Sequence, residues 1–192
     1  MPLRHGVNNI MENVYVAKFR VNDEEMNRQI IEVIDAQGDR QNQGTNVKAD
    51  MTEWNMSNEP GFNKLAEIIK TLSIRASQDK YGRPINPFIK SMWGLKYKSG
   101  EFTTPHHHWP SQWACVYYVN PPKDAPGIYF TDYNEEIEIE HGVLYMFEGH
   151  VKHEVKAKEF EGTRYCVSTN IHSTTFLKDY LQPLVGNIYD RR

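Results

Sequence analysis

The sequence predicts a mainly β domain, a sandwich or barrel with flanking helices, and three observations carry that reading. Eight short segments of alternating or apolar character (89–97, 104–109, 113–120, 127–132, 136–140, 143–148, 151–156 and 163–171) follow one another over about 80 residues, the strand density of such folds. Their connectors carry turn chemistry: Lys98 to Gly100, the Pro- and Gly-containing run from Asn120 to Gly127, His141-Gly142 and Glu161-Gly162. Two segments with apolar residues spaced by 3 and 4 precede this block, so helices are expected to pack on the outside of one sheet.

In chain order, residues 13–19 alternate enough for a short leading strand. Asn22, with Glu25 three residues on, reads as a helix N-cap and its reciprocal partner. Met26, Ile30, Val33 and Ile34 then share one stripe, and Gly38 supplies a stop. The polar stretch 39–58 has no period and is expected to be a loop, either a carrier of specificity or merely mobile. Pro60 suits the first turn of a second helix, along which Phe62, Leu65, Ala66, Ile69, Leu72 and Ala76 recur at helical spacing until Gly82-Arg83-Pro84 ends it. After Pro87 the period becomes two. Residues 174–184 read as a last short helix before a polar tail.

The chain has 192 residues, 39% apolar and 24% charged, which makes it globular rather than disordered and long enough for one domain with a real core. A net charge of −3 gives no reason to expect nucleic acid as a partner, and no apolar run approaches the roughly 18 residues of a membrane span. The N-terminus lacks the apolar region of a secretory signal. The two cysteines, Cys115 and Cys166, lie in separate strands without CxxC spacing, so they read as small core fillers with free thiols in a cytoplasmic protein. Exposed strand edges leave room for a homodimer.

Chemistry concentrates at His106-His107-His108. Along an extended chain, residues i and i+2 face the same way, so His106 and His108 aim at one point while His107 looks away. In 151–156, Val151, His153 and Val155 share one face and the lysines the other, which turns His153 inward and His150 outward. Taken alone, His153 reads as a core histidine bonded to a carbonyl; beside an inward pair it reads as a third ligand. An HxH followed about 45 residues later by an inward histidine fits one transition metal in a double-stranded β-helix of the jelly-roll or cupin type. On the last strand Arg164, Cys166, Ser168 and Asn170 share a face opposite Tyr165, Val167, Thr169 and Ile171. Facing water, that polar row is ordinary. Facing inward, Arg164 requires a carboxylate or phosphate opposite it, with Ser168 able to add a hydrogen bond.

The run His106-x-His108, then Trp113-Ala-Cys-Val-Tyr-Tyr-Val119, Gly142-Val-Leu-Tyr-Met-Phe147, His153-Glu-Val155 and Arg164…Ser168-Thr-Asn170 resembles the 2-oxoglutarate/Fe(II) oxygenases of microbes and phages. The resemblance covers roughly residues 88–171 and implies an eight-stranded jelly roll around one Fe(II), in an enzyme that hydroxylates a small-molecule or peptide substrate and releases succinate and CO2. It places His106, His108 and His153 on the metal and pairs Arg164, helped by Ser168, with the distal carboxylate of 2-oxoglutarate. The wider superfamily usually carries HxD or HxE where this chain has His106-His107-His108; a carboxylate from elsewhere, with Asp132 first, is the alternative to a three-histidine set. Trp93, Tyr97, Trp109, Trp113 and Tyr117 are candidates for the cavity wall or for plain core. The expected organisation is one domain over 1–192: a leading strand and buttressing helices (1–87), the double-stranded β-helix core (88–171) and a C-terminal extension (172–192). Two other readings stand beside the oxygenase: a three-histidine cupin-type dioxygenase that uses no 2-oxoglutarate, and a non-catalytic metal-binding jelly-roll module.

Overall fold

The computed structural model describes residues 8–37 and 45–174. The elements in order are β1 (Asn8–Asn9), β2 (Val16–Arg20), α1 (Glu24–Ala36), β3 (Val47–Lys48), β4 (Asp50–Met51), α2 (Phe62–Tyr81), β5 (Pro87–Tyr97), β6 (Phe102–His106), β7 (Trp113–Asn120), β8 (Tyr129–Phe130), β9 (Glu135–Glu136), β10 (Val143–Glu148), β11 (His153–Val155) and β12 (Arg164–Ser173). They build a seven-stranded sheet, β1-β2-β10-β7-β12-β5-β4, facing a five-stranded one, β3-β6-β11-β8-β9, with every strand pair antiparallel. This is a jelly roll with two helices on the outside of the larger sheet. Among the described residues no helix is long and apolar enough to cross a membrane.

Alternation along the central strands sorts side chains into two cores. From β7, Trp113, Cys115, Tyr117 and Val119 pack against α1 and α2 residues such as Met26, Ile30, Leu65 and Ile69. Ala114, Val116 and Tyr118 face the other way, into the space between the sheets with Trp93, Tyr97, Phe130, Phe147 and Val155. Both faces of the large sheet are therefore covered, which is why β7 reads as an unbroken apolar run. The helix layer is pinned by two buried hydrogen bonds, Trp113 Nε1 to Ser77 Oγ (2.8 Å) and Tyr117 OH to Asn27 Oδ1 (2.6 Å). Gly94 on β5 admits the helices closely: a Cβ there would lie 2.5 Å from Ile34 Cγ1 and 3.1 Å from Phe62 Cζ.

Several boundaries differ from the sequence reading. The cap of α1 is Asp23, whose carboxylate accepts from Met26 N at 2.9 Å from an extended backbone (φ −128°). Asn22 instead takes φ 39°, a turn conformation that asparagine tolerates, and its backbone N–H bonds Gly142 O. Gly38 and residues 175–184 lie outside the described residues, as do 39–44 of the polar stretch; the rest of that stretch contains β3 and β4. Pro60 stands just before the Gly61 cap of α2 rather than in its first turn, while Gly82 closes the helix in the left-handed region (φ 69°). Segments 127–132, 136–140 and 151–156 shrink to β8, β9 and β11. Cys115 and Cys166 are buried, free and on opposite faces of the large sheet.

Candidate metal centre and anion pocket

The three histidines meet at one end of the space between the sheets. His153 on β11 is buried and pairs directly opposite His106, the last residue of β6, and their rings lie 4.4 Å apart. His108 does not lie on β6, because that strand ends at His106, three residues short of the 104–109 segment that the alternation suggested. It is held instead by a turn, with its N–H on Gly149 O (2.7 Å) and its carbonyl accepting from Ser111 N (2.8 Å). Its ring stands 4.9 Å from that of His106 and 5.1 Å from that of His153. One nitrogen from each of the three imidazoles lies within 4.8 Å of the others. His107 and His150 are exposed.

Two of these rings are oriented by their own backbone. His106 Nδ1 bonds Thr104 O and His153 Nδ1 bonds Val151 O, both at 2.9 Å, and each bond leaves Nε2 as the lone-pair nitrogen. Burial pushes all three imidazoles toward the neutral, ligand-competent form. The His106 pKa falls through desolvation, partly offset by the Thr104 carbonyl; that of His108 falls to about 3 through burial and the neighbouring His106 and His107; that of His153 falls well below its ordinary value for the same kind of reasons. These donors suit a divalent transition metal, which three convergent neutral imidazole nitrogens can ligate together. Among the described residues no carboxylate joins them. Asp132 is exposed, because β8 ends at Phe130 and the chain turns away through the bond from Tyr133 N to Phe130 O.

Deeper between the sheets lies Arg164, 1% exposed. Its guanidinium donates to Tyr118 OH (3.1 Å) and to Cys166 Sγ (3.6 Å) and lies over the Tyr97 and Tyr118 rings at 4.4 and 5.0 Å. Its Nε has no hydrogen-bond partner, and no acidic side chain among the described residues pairs with it. Arg164 and Ser168 line the same small inner pocket, about 40 Å³, as His106, His108 and His153. A wider cleft of about 540 Å³ opens outward and shares Val47, Trp93, His106 and His108 with that pocket, so the two meet at the histidines.

No family model matches the sequence, and no curated protein matches it. Solved structures do. The viral collagen prolyl hydroxylase of Paramecium bursaria Chlorella virus-1, solved as its 2-oxoglutarate complex, superposes with a TM-score of 0.65 at 13% identity over 84% of this chain and 98% of that one. A Pseudomonas putida prolyl-4-hydroxylase gives 0.62 at 14% over 84% and 94%. HygX of Streptomyces hygroscopicus, solved with nickel and 2-oxoglutarate bound, gives 0.62 at 10% over 84% of both chains. The chain has the jelly-roll fold of the prolyl hydroxylases. The likeness to 2-oxoglutarate/Fe(II) oxygenases that the sequence suggested therefore holds at the level of the fold, and the prolyl-hydroxylase fold is the frame in which these side chains sit.

Within that frame the aromatic assignments divide. Trp93 and Tyr97 line the inner pocket, and Trp109 lines the outer cleft. Trp113 and Tyr117 do not reach either one; they belong to the helix side of the large sheet, because β7 turns its odd-numbered residues that way. Two participants were missed. Tyr118, the guanidinium's hydroxyl partner, was findable by parity once Tyr117 was assigned to the helices. Trp54, half-exposed on the cleft and in tilted contact with the Trp93 ring (centroids 4.8 Å apart), comes from the unpatterned stretch and gave no periodic signal.

Proposed function

We propose that this chain is an Fe(II)- and 2-oxoglutarate-dependent oxygenase that hydroxylates a small-molecule or peptide substrate. The observation that carries the reading is a fully buried guanidinium without an acidic partner among the described residues, in the same pocket as three convergent neutral imidazoles. His106, His108 and His153 hold the metal, the first and last with their rings already fixed through Nδ1. Arg164 forks onto the distal carboxylate of 2-oxoglutarate, which supplies the anion its burial demands, and Ser168 adds a hydroxyl on the same strand face. With iron(II) bound, O2 would be the oxidant, one of its oxygen atoms entering a substrate C–H bond and the other entering succinate as 2-oxoglutarate loses CO2. Trp93, Val155 and the other apolar pocket walls exclude water from the reacting centre.

The donor set itself favours a second reading. Three histidines without a carboxylate also suit a dioxygenase that binds its substrate on the metal and needs no 2-oxoglutarate, a reading that leaves Arg164 without a role. Anaerobic titration with Fe(II), with and without 2-oxoglutarate, separates the two. A weak visible charge-transfer band that requires both components is expected; its absence would exclude the first reading.

A further inference from the structure

The outer cleft carries a charge pattern that the metal and 2-oxoglutarate do not use. None of its lining residues among those described is Asp or Glu, although the chain as a whole has a net charge of −3. Its one Lys or Arg is Lys90. That lysine is in the cleft because of a register shift. From Arg164↔Tyr97 to Asn170↔Ser91 the pairing of β12 with β5 is regular, but the next pair is Ile171↔Ile89, so β5 carries one extra residue, Lys90. Without that bulge, alternation would send Lys90 toward the helices and bring Ile89 to the cleft. With it, Ile89 packs into the helix-side core, and Lys90 joins Ser91, Asn170 and His172 on the open side. No acidic residue among those described pairs with Lys90. Its charge is felt locally: burial first, and Lys90 second, hold the His172 imidazole below its ordinary pKa. Two tryptophans, Trp54 and Trp109, are 42% and 48% exposed on the same cleft, a large apolar surface for a rim otherwise polar.

We propose that the cleft binds a small aromatic or otherwise flat molecule bearing a carboxylate or phosphate, with the anion on Lys90 and the apolar body against Trp54 and Trp109. Calling this molecule the substrate rests on the oxygenase reading; its binding does not. A cation in a cleft whose described lining carries no acid selects anions over cations of the same shape, and an exposed indole gives contact area to a flat body at little entropic cost. The shared chemistry is an anionic oxygen group, and carboxylate and phosphate are separated by the probes.

The test is calorimetry on the full-length chain with Mn(II) and saturating 2-oxoglutarate, which keeps Arg164 engaged, using 3-phenylpropionate, phenyl phosphate and 2-phenylethylamine. At least one anion should bind about tenfold or more tightly than the amine, and the tighter of the two anions identifies the group. Lys90→Gln should abolish the preference, Lys90→Arg should keep it, and Trp109→Ala should weaken all three probes without altering their order. Equal binding of amine and anions, an anion preference that survives Lys90→Gln, or no binding by any probe overturns the proposal. An anion preference that depends on Lys90, found in a protein that gives no charge-transfer band, would instead sink the oxygenase reading and leave the cleft's specificity standing.

Discussion

Replacing Arg164 with methionine tests the anion pocket most directly, because two competing accounts of the residue predict opposite results. If Arg164 were a structural cation satisfied inside the chain, the substitution would strand a buried partner charge and cost about 3–5 kcal/mol. The structure gives it one hydroxyl, one thiol and two ring faces, and no carboxylate among the described residues. Losing a hydrogen bond from a charged donor (about 1.5–3 kcal/mol) and two cation–π contacts (about 0.5–2 kcal/mol each) is offset by relief of several kcal/mol of desolvation. The ligand-free variant is therefore expected within about 2 kcal/mol of the parent. The response to 2-oxoglutarate should differ sharply. At about 100 times its dissociation constant the cosubstrate stabilises the parent by about 2.7 kcal/mol, or roughly 5–10 °C for a domain of this size. Without the two parallel charge-assisted bonds the affinity falls at least about 100-fold, so the same concentration yields about 0.4 kcal/mol, near 1 °C. Thermal unfolding with Mn(II), with and without 2-oxoglutarate, reads both quantities. A variant that keeps the full ligand-induced shift, or that loses 3–5 kcal/mol before ligand is added, refutes the assignment.

The metal-free protein should lose stability as pH falls. His106, His108 and His153 are held neutral when folded, with pKa values below the ordinary 6.5, so below that pH the unfolded chain binds up to three protons more, each worth about 1.4 kcal/mol per pH unit. That contribution is intact above pH 6.5 and declines toward the folded-state values; urea titrations at pH 7.5, 6 and 5 should give falling midpoints, and a flat profile would contradict neutral burial. Asp132→Asn should leave metal affinity within about twofold, measured with a chromogenic chelator, because the carboxylate faces solvent; His153→Ala should lower it by a factor of about 100 or more. Gly94→Ala should destabilise by about 1–3 kcal/mol in chemical denaturation, since the new methyl meets Ile34 and Phe62 across the helix–sheet interface.

Sequence reasoning reached His153 and Arg164 because each lies within a strand whose alternation is strict: valines flank the histidine, and an apolar face opposes the arginine. It brought His108 beside His106 through strand alternation, whereas a turn does so in the structure. The turn that presents His108 depends on Gly149, some forty residues away, whose carbonyl accepts its N–H. Trp113 and Tyr117 stay open between cavity wall and plain core in the sequence because β7 is buried on both faces, so its own pattern does not say which side is the cavity; the structure puts both in the core. That information resides in the helices covering one face. Asn22 and Asp23 are both competent caps, and the choice between them was made by the contact of Asn22 with Gly142. The Lys90 bulge is a property of pairing between β5 and β12, and neither strand alone announces it.

The same features can be read as one electrostatic balance. Three neutral imidazoles bring no charge, a divalent ion brings +2, Arg164 brings +1 and a dianionic cosubstrate returns −2. A loaded inner pocket of this composition keeps one positive charge, where two histidines and a carboxylate would leave none. At an effective dielectric of about 20, a unit charge acts on another about 10 Å away with about 1.7 kcal/mol, enough to matter across the short distance from the histidines to the cleft they share. An acidic residue on the cleft wall would neutralise that excess before any substrate arrived. Among the described residues the wall has none, and a bulge in β5 adds a lysine to it instead. Among the described residues, the lack of a carboxylate beside the three histidines and the lack of acids in the cleft thus act in the same direction, both favouring the anionic ligand proposed for the cleft.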